Sequence, residues 1–512
     1  MPITYTIAID LNDDGDFSAL GDVISGDVLQ VRWHLGFARR YDPVAAAAEA
    51  QIIVQNRSGK YAPERTPLQP GQHLRICSDD GTTVHTHFSG LIDRIEPQTG
   101  NQGTQQSIIY AVDLLHELQQ HRVGMMPLQN QRADQILDAI IPQMQLRHPR
   151  LHGFCIIDRA GHNIINSDSI FGDDYPSTNF ETGKSVFTYV GDTWGDGLRA
   201  HSAIQQICES EGGRFFASRD GILTFHNRHH IFLDETLAAS FTDDMEGLRY
   251  AYAADHLSQT EITITPRRID PPNSLLWSLS EALRFERNSS RRIVARFRDA
   301  AKNPIGALAV IAPQAFVHFT ANLRQDGSGL DVTGHLQVTL MSANASAAVL
   351  QIRNRHPRLT VFLQNLELRG TPLITGDPLL LVAEDGLSRA LHGLKRLVLD
   401  APLLQDVEEA SDLLEYELRR RGIPEGVLDV LQTSTHSHPQ ETLSLTLFDR
   451  IRITESHSGH SADHLIIAEA HQIEAGGARH QVIWRLEPAN LHRFFTVNTH
   501  TIDDASVVLL PR

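Results

Sequence analysis

Apolar and polar side chains alternate from residue 3 to residue 9 (ITYTIAI), the period of a half-buried strand. The same period returns at 28–33, 50–55 and, after Pro70-Gly71, at 72–77, with turn residues at 56–63 between them. Short strands with Gly- and Pro-rich connections predict a small β-barrel or sandwich over residues 1–118. The spacing then becomes helical at 113–120 and 132–141, where Ile136, Leu137, Ile140 and Ile141 recur and Pro142 supplies a stop. Residues 143–200 show little periodicity, are rich in Asp, Asn, Gly and Ser, and read as a long loop or surface extension. A helix over 203–211 carries Ile204, Ile207 and Cys208 and ends at Gly212-Gly213. Strands at 214–218 and 222–226 then turn at Asp220-Gly221. These elements make 119–240 an α+β middle unit. A β pattern resumes with strands at 260–265, 293–297, 336–340 and 359–363, giving a β-rich unit over 241–375 with the turn 326–329 as its flexible tip. Thr371-Pro372 and Asp377-Pro378 mark a boundary, after which 379–382 opens a second β-module over 376–512. A helix at 407–420 interrupts it, with Leu413, Leu414 and Leu418 on one face and Gly422 and Pro424 at its end, and 494–511 forms a tail of mixed character.

The two ends of the chain repeat one another. Residues 88–114 (FSGLIDRIEPQTGNQGTQQSIIYAVDL) and 465–488 (LIIAEAHQIEAGGARHQVIWRLEP) each contain a strand ending in Ile-Glu, at Ile95-Glu96 and Ile473-Glu474. In each a Gly-rich turn and a strand of large apolar residues follow. Upstream, Leu74-Arg75-Ile76 and Ile451-Arg452-Ile453 stand at intervals of 19 (95 − 76) and 20 (473 − 453) residues from the shared Ile. Such duplication predicts two similar β-modules separated by the middle of the chain.

A chain of 512 residues exceeds one core and predicts three or four domains, and 41% hydrophobic with 21% charged residues is ordinary for a soluble globular protein. The net charge of −17 argues against a general nucleic-acid-binding surface, yet an acidic wall suits DNA that must slide past without sticking. Cys77, Cys155 and Cys208 are odd in number and widely spaced. They read as reduced, buried residues of a protein assembled in a cytosol and not as a disulfide framework. The absence of a signal-like start and of any run of 18 apolar residues predicts neither signal-peptide secretion nor a membrane-spanning segment.

Candidate chemistry is sparse. Asp10, Asn12, Asp14 and Asp16, with Gly15 at the turn, match the first half of an EF-hand-type calcium loop. The twelfth position is Gly21, where that loop has a bidentate Glu, and the alternative is an Asp/Gly turn bonded to its own backbone. His226, His229 and His230 at a strand end, and His457, His460 and His464 in a Ser/Gly-rich loop, read as solvated polar residues ahead of metal ligands. Glu209 and Glu211 lie two apart on a helix and diverge, against a shared acid–base role. No GxSxG, Walker A, HExxH or GxGxxG stands in its required setting, so no catalytic residue and no enzyme are predicted.

Several segments, in this order, resemble the tail-hub (baseplate-hub) proteins of tailed bacteriophages and related injection machines. They begin with Ala8-Ile9-Asp10, Gly15-Asp16-Phe17, Tyr61-Ala62-Pro63 and residues 88–95. Ser210-Glu211-Gly212-Gly213-Arg214-Phe215-Phe216 and 220–225 closing on Arg228 come next, then Gly370-Thr371-Pro372-Leu373 and 397–404. The resemblance spans most of the chain, although 143–200 matches nothing in the family. It implies a mainly β fold with two tube-like β-barrel domains separated by mixed and β-rich domains, and a homotrimer whose six barrels form a pseudo-sixfold ring. Such a ring meets a tail tube or distal tail protein on one face and a tip, spike or fibre protein on the other. Genomic DNA passes through its lumen. The implied location is the virion tail tip or baseplate, after assembly in the host cytoplasm, and the family's barrels have no catalytic residues to carry over.

Two other functions compete. A receptor- or carbohydrate-binding tip protein would use 143–200 as its contact surface, against which stands an aromatic content of only 6%. A tail-associated hydrolase would need carboxylates brought together only by the fold.

Overall fold

The computed structural model describes residues 3–12, 14–17, 19, 21–98, 105–144, 146, 156–157, 163–164, 178–195, 197–232 and 236–489. Alternating β-branched residues build the first module from β1 (Thr4–Ile9), β2 (Val28–Gly36), β3 (Ala46–Gln55), β4 (His73–Asp79), β5 (Val84–Pro97) and β6 (Gln106–Val112). They pair antiparallel in the order β1-β4-β5-β6-β3-β2. Ile52, Val54, Leu74, Ile76 and Ile109 occupy inward positions and are buried, each contributing about 1.5–3 kcal/mol relative to exposure. The chain then enters α1 (Leu114–Leu118), capped by the Asp113 carboxylate, which accepts from the Leu115 and His116 N–H groups.

The middle unit holds β7 (Arg122–Val123), β8 (Leu128–Arg132), α2 (Ala133–Ile140), β9 (Ile156–Ile157), β10 (Asn163–Ile164), β11 (Thr178–Phe180), β12 (Val186–Val190), β13 (Leu198–Arg199), α3 (Ala200–Glu211), β14 (Arg214–Ala217) and β15 (Leu223–His226). Gly212 caps α3 at φ 72°, a conformation that costs glycine nothing. The reading of 143–200 as one loop is corrected in its described part. β11 pairs parallel with β15, β12 antiparallel with β8, and β13 antiparallel with β7. These strands are too short and too mixed in polarity to show a period by themselves, and partners distant in sequence hold them. The rest of that region lies largely outside the described residues, as do Cys155 and the 494–511 tail.

The second module begins with β16 (Ala239–Thr242), β17 (Gly247–Tyr252) and β18 (Gln259–Ile264). An inserted unit follows: β19 (Arg267–Ile269), β20 (Ser274–Ser278), β21 (Leu283–Phe285), β22 (Ser290–Arg296), β23 (Gly306–Ile311), β24 (Phe319–Asn322), β25 (Leu336–Ala343), β26 (Ala347–Asn354) and β27 (Val361–Thr375). The 15-residue β27 pairs with β19, β20, β21, β23 and β24, and β22-β26-β25 form a second sheet. Leu276, Phe285, Phe297, Leu350, Ile352, Leu363 and Leu368 give this unit its own core. The chain returns through β28 (Leu379–Glu384), α4 (Gly386–His392), β29 (Arg396–Leu399), α5 (Val407–Arg421), β30 (Gly426–Ser434), α6 (Pro439–Ser444), β31 (Arg450–Glu455), β32 (His460–Glu474) and β33 (Arg479–Pro488).

The sequence repeat is a structural one: β4-β5-β6 and β31-β32-β33 are both antiparallel three-strand meanders. The chain is mostly β, and no closed barrel forms among the described residues. Instead β2 pairs antiparallel with β32, uniting the modules in one 12-stranded sheet. The edge that each module would have exposed is covered by the other, which removes a site for unwanted strand addition. Strands on both sides of the expected 240/241 and 375/376 boundaries associate. β16 pairs with β31, β17 with β30, and β18 with both β28 and β29, so 239–264 joins 379–488 around the inserted unit.

Candidate functional site

The seam between the two modules holds two knots of buried charge. At its edge Gly36 has φ 102°, and a Cβ there would stand 2.4 Å from the Ile467 carbonyl oxygen and 2.6 Å from the Ala468 Cα. Only glycine lets β2 approach β32 this closely. Further along, the Trp33 indole stacks on the His471 ring at 4.6 Å and 5°. His471 Nδ1 lies 2.8 Å from His480 Nε2, and His480 Nδ1 lies 2.9 Å from the Tyr5 hydroxyl. Burial pushes the His480 imidazole down to about 2 and lowers His471 as well, so this chain carries neutral rings.

His471 leads to the central ion pair. Arg219, on the turn after β14, donates through Nε and Nη2 to the two Glu469 carboxylate oxygens at 2.6 and 2.5 Å. It also donates to the Leu443 and Leu445 carbonyl oxygens at 2.9 and 2.5 Å. Both side chains are buried. Burial drives the Glu469 carboxyl upward, but the Arg219 guanidinium and the bond from His471 outweigh it and hold it down at about 2. One arginine thus ties the middle unit to α6, to the loop after it and to β32.

A second buried knot closes the other side. The Glu487 carboxylate accepts from Arg214 Nη2 at 2.9 Å, from the Tyr41 N–H at 3.1 Å and from Arg420. Burial raises its pKa, and the Arg214 and Arg420 guanidiniums bring it below the usual carboxylate value. The Arg421 guanidinium stands 4.3 Å from the Tyr41 ring centroid, and the Tyr41 hydroxyl donates to Asp255 at 3.2 Å, beside the Arg40–Asp255 pair at 3.0 Å. Segments quoted for the tail-hub resemblance meet here. Ser210 Oγ accepts from the Leu403 N–H at 3.1 Å, Arg228 Nη1 donates to the Glu211 carbonyl oxygen at 3.2 Å, and Tyr416 donates to the Arg228 carbonyl oxygen at 2.6 Å. The acids and guanidiniums of this joint bind one another and so fix the elements that carry them.

The sequence-predicted residues fall as follows. The buried Asp10 carboxylate accepts from the Asp14 and Gly15 N–H groups at 3.1 and 2.8 Å. Asn12 donates to Asp14 at 2.7 Å, and Asp14 accepts from the Asp16 N–H at 2.9 Å. Asp22, one residue past Gly21, is buried, and its Oδ2 has no hydrogen-bond partner among the described residues. Burial and the nearby Asp10 and Asp14 charges raise its pKa. Glu209 and Glu211 do not converge. Glu211 is buried and accepts from the Lys184 and Ser185 N–H groups at 2.8 and 2.9 Å, and burial lifts its carboxyl to about 7. Glu209 accepts from Gln205 at 2.8 Å. His457 is exposed, in keeping with the solvated reading; for the others it is corrected, since His229 and His464 are buried and His226 stacks on His230 with ring centroids 3.4 Å apart. At His226, packing against Phe216 and Phe448, which the local sequence does not announce, overrides the polar surroundings. Cys77 and Cys208 are free thiols; Cys208 is buried as expected, whereas Cys77 is only half-buried, which corrects the reading there.

Arg219, Tyr41, Arg420, Glu469 and Glu487 were not singled out by sequence reasoning. A signal was present for Glu469, which occupies the same alternation as the buried Leu465, Ile467 and Ile473. A charge on an inward face demands a partner.

No protein-family model matches the sequence, and no curated protein matches it. Among solved structures, the chain is similar to the 43 kDa tail protein of prophage MuSo2 from Shewanella oneidensis, at 10% identity and TM-score 0.50, covering 95% of this chain and 98% of that one. It is also similar to the tail protein from Neisseria meningitidis MC58, at 9% identity and TM-score 0.47, covering 95% and 96%. The prophage tail protein gp18 from Listeria monocytogenes EGD-e matches at 8% identity and TM-score 0.40, covering 94% of each chain. At such identities the first of these likenesses establishes a shared β-rich fold along nearly the whole chain.

Proposed function

We propose that this chain is a structural tail hub of a bacteriophage or related injection machine. Three copies form a pseudo-sixfold ring that joins the tail tube to the tail tip and leaves a channel for DNA. The observation that carries the reading is the pair of like meanders, β4-β5-β6 and β31-β32-β33, laid in one sheet of each chain. Two similar modules per chain become six in a trimer, which reconciles a sixfold tube with a threefold tip. A prophage tail protein of like fold supports a tail role, and among the described residues no helix is long and apolar enough to cross a membrane. The acidic composition, at −17, suits a wall past which DNA slides. The role is one of assembly and not of catalysis.

The surface around β28, α4 and β29 is the contact assigned to a second copy. Leu379, Leu380, Val382, Leu387, Leu391 and Val398 are exposed there, and exposed apolar surface of this kind serves protein contacts. In the same reading Asp10, Asn12, Asp14 and Asp16 hold a calcium ion, with the orphaned Asp22 Oδ2 supplying the carboxylate that Gly21 lacks. Light scattering on a sizing column tests the trimer. A mass of about 171 kDa, three times 57.0 kDa, is expected; a monomer at every accessible concentration moves the assignment to a receptor-binding tip protein.

A further inference from the structure

The histidine pair at the end of β15 has a carboxylate beside it. β11 runs parallel to β15 with Phe180 opposite Phe225, and the Glu181 N–H donates to the Phe225 carbonyl oxygen at 3.0 Å, which sets Glu181 next to His226. A tight turn, with the His230 N–H on the Asn227 carbonyl oxygen at 3.1 Å, folds His230 back over His226. One ligand atom from each of Glu181, His226 and His230 then lies within 4.8 Å of the others. Glu181 Oε1 is 2.5 Å from His230 Nδ1, and its Oε2 accepts from the Asn227 N–H at 2.9 Å. His226 Nδ1 is buried and has no hydrogen-bond partner among the described residues.

We propose that Glu181, His226 and His230 bind one divalent transition-metal ion of the zinc class, which ties the end of β11 to β15 and the turn after it within the middle unit. Two imidazoles and a carboxylate are a ligand set that zinc accepts, with a fourth position left for water. The His226 Nδ1, buried and without a hydrogen-bond partner among the described residues, is a group whose isolation is costly unless something occupies it. The walls are apolar: the Phe216 and Phe448 rings lie 5.0 and 4.7 Å from the His226 ring, and Phe448 belongs to the second module. The Asn227 N–H on Glu181, with the Asn227 side chain on the Thr182 carbonyl oxygen at 3.1 Å, is the outer support that orients a ligating carboxylate.

Binding requires one movement. Rings stacked 13° from parallel point their lone pairs side by side, whereas a tetrahedral ion needs them to converge. His230 is the ring to turn, because it sits at the start of a one-turn helix and is partly exposed.

The test is titration of the purified, metal-stripped full chain with Co2+, read by visible absorption, followed by displacement with Zn2+. The proposal expects one Co2+ per chain with the absorption of a four-coordinate nitrogen and oxygen site, lost on adding Zn2+. It also expects affinity at least about tenfold weaker in Glu181→Gln, which preserves shape. With 27 histidines in the chain, surface binding alone is the rival result. No four-coordinate absorption in the unaltered chain, or equal affinity in Glu181→Gln, overturns the proposal.

Discussion

Replacing Arg219 by Met probes the joint where its forces are most concentrated. The substitution keeps much of the side-chain volume but removes the guanidinium from two carboxylate oxygens at 2.6 and 2.5 Å and from two carbonyl oxygens. Glu469 is left buried with only the neutral His471 ring, whose Nε2 stands 3.4 Å away, in place of a cation. Two routes give the magnitude. Breaking a buried pair from one side costs about 3–5 kcal/mol. Independently, a carboxyl held at about 2 when folded, against 4.5 unfolded, contributes roughly 3 kcal/mol at neutral pH. Because the folded value is the lower one, this contribution is complete above 4.5 and disappears as pH falls towards 2. In Arg219→Met burial is no longer opposed by the guanidinium, Glu469 takes up a proton more readily, and the deficit against the unaltered protein shrinks in acid. Calorimetric melting at neutral pH should fall by roughly 6–20 °C, at 2–4 °C per kcal/mol for a cooperative unit of 150–250 residues. The double variant Arg219→Met, Glu469→Leu should recover most of the loss, since no charge remains unpaired. A single variant within about 1 kcal/mol of the parent, or a double variant no better than the single, refutes the reasoning.

Gly36→Ala forces a Cβ against the Ile467 carbonyl oxygen at a φ of 102° and should destabilise the seam by more than ~1 kcal/mol in urea unfolding; Gly26→Ala, with nothing within 4 Å of its Cβ, should leave the midpoint nearly unchanged. Leu380→Asp with Val398→Asp, both at exposed positions, should reduce the mass seen by light scattering to that of one chain without lowering the melting temperature; an unchanged mass removes this surface from the assembly. Calcium should raise the melting temperature and appear at one ion per chain by elemental analysis, with chelation and Asp10→Asn each reversing both effects; no bound calcium reduces the loop to a self-bonded turn.

The sequence disclosed those features that repeat over a few residues. Helical spacing located α2, α3 and α5 to within a few residues, and Gly212 and Gly422 marked two of their ends. The repeated meander was visible because each copy carries the same order of strand, turn and strand. The partner of β2 was not legible: Gln30–Gly36 registers against residues more than 400 positions away, and strand periodicity records which face is buried, not which strand lies alongside. The insertion of 267–375 between β18 and β28 was hidden for the same reason, since Ile262 and Leu381 meet only in three dimensions. The calcium pattern was readable in Asp10, Asn12, Asp14 and Asp16, whereas Asp22 gained a place beside it only once its burial and orphaned oxygen were known. Glu181 had no local signal, because its relation to His226 and His230 is made by a parallel strand pair.

Single-particle imaging of the purified assembly decides whether the chain builds a hub. A ring with a central opening is expected, threefold by strict symmetry, in which six similar β-densities alternate between the module built on β4-β5-β6 and the module built on β31-β32-β33. A compact particle without a channel, or a ring in which only three β-densities line the opening, contradicts it.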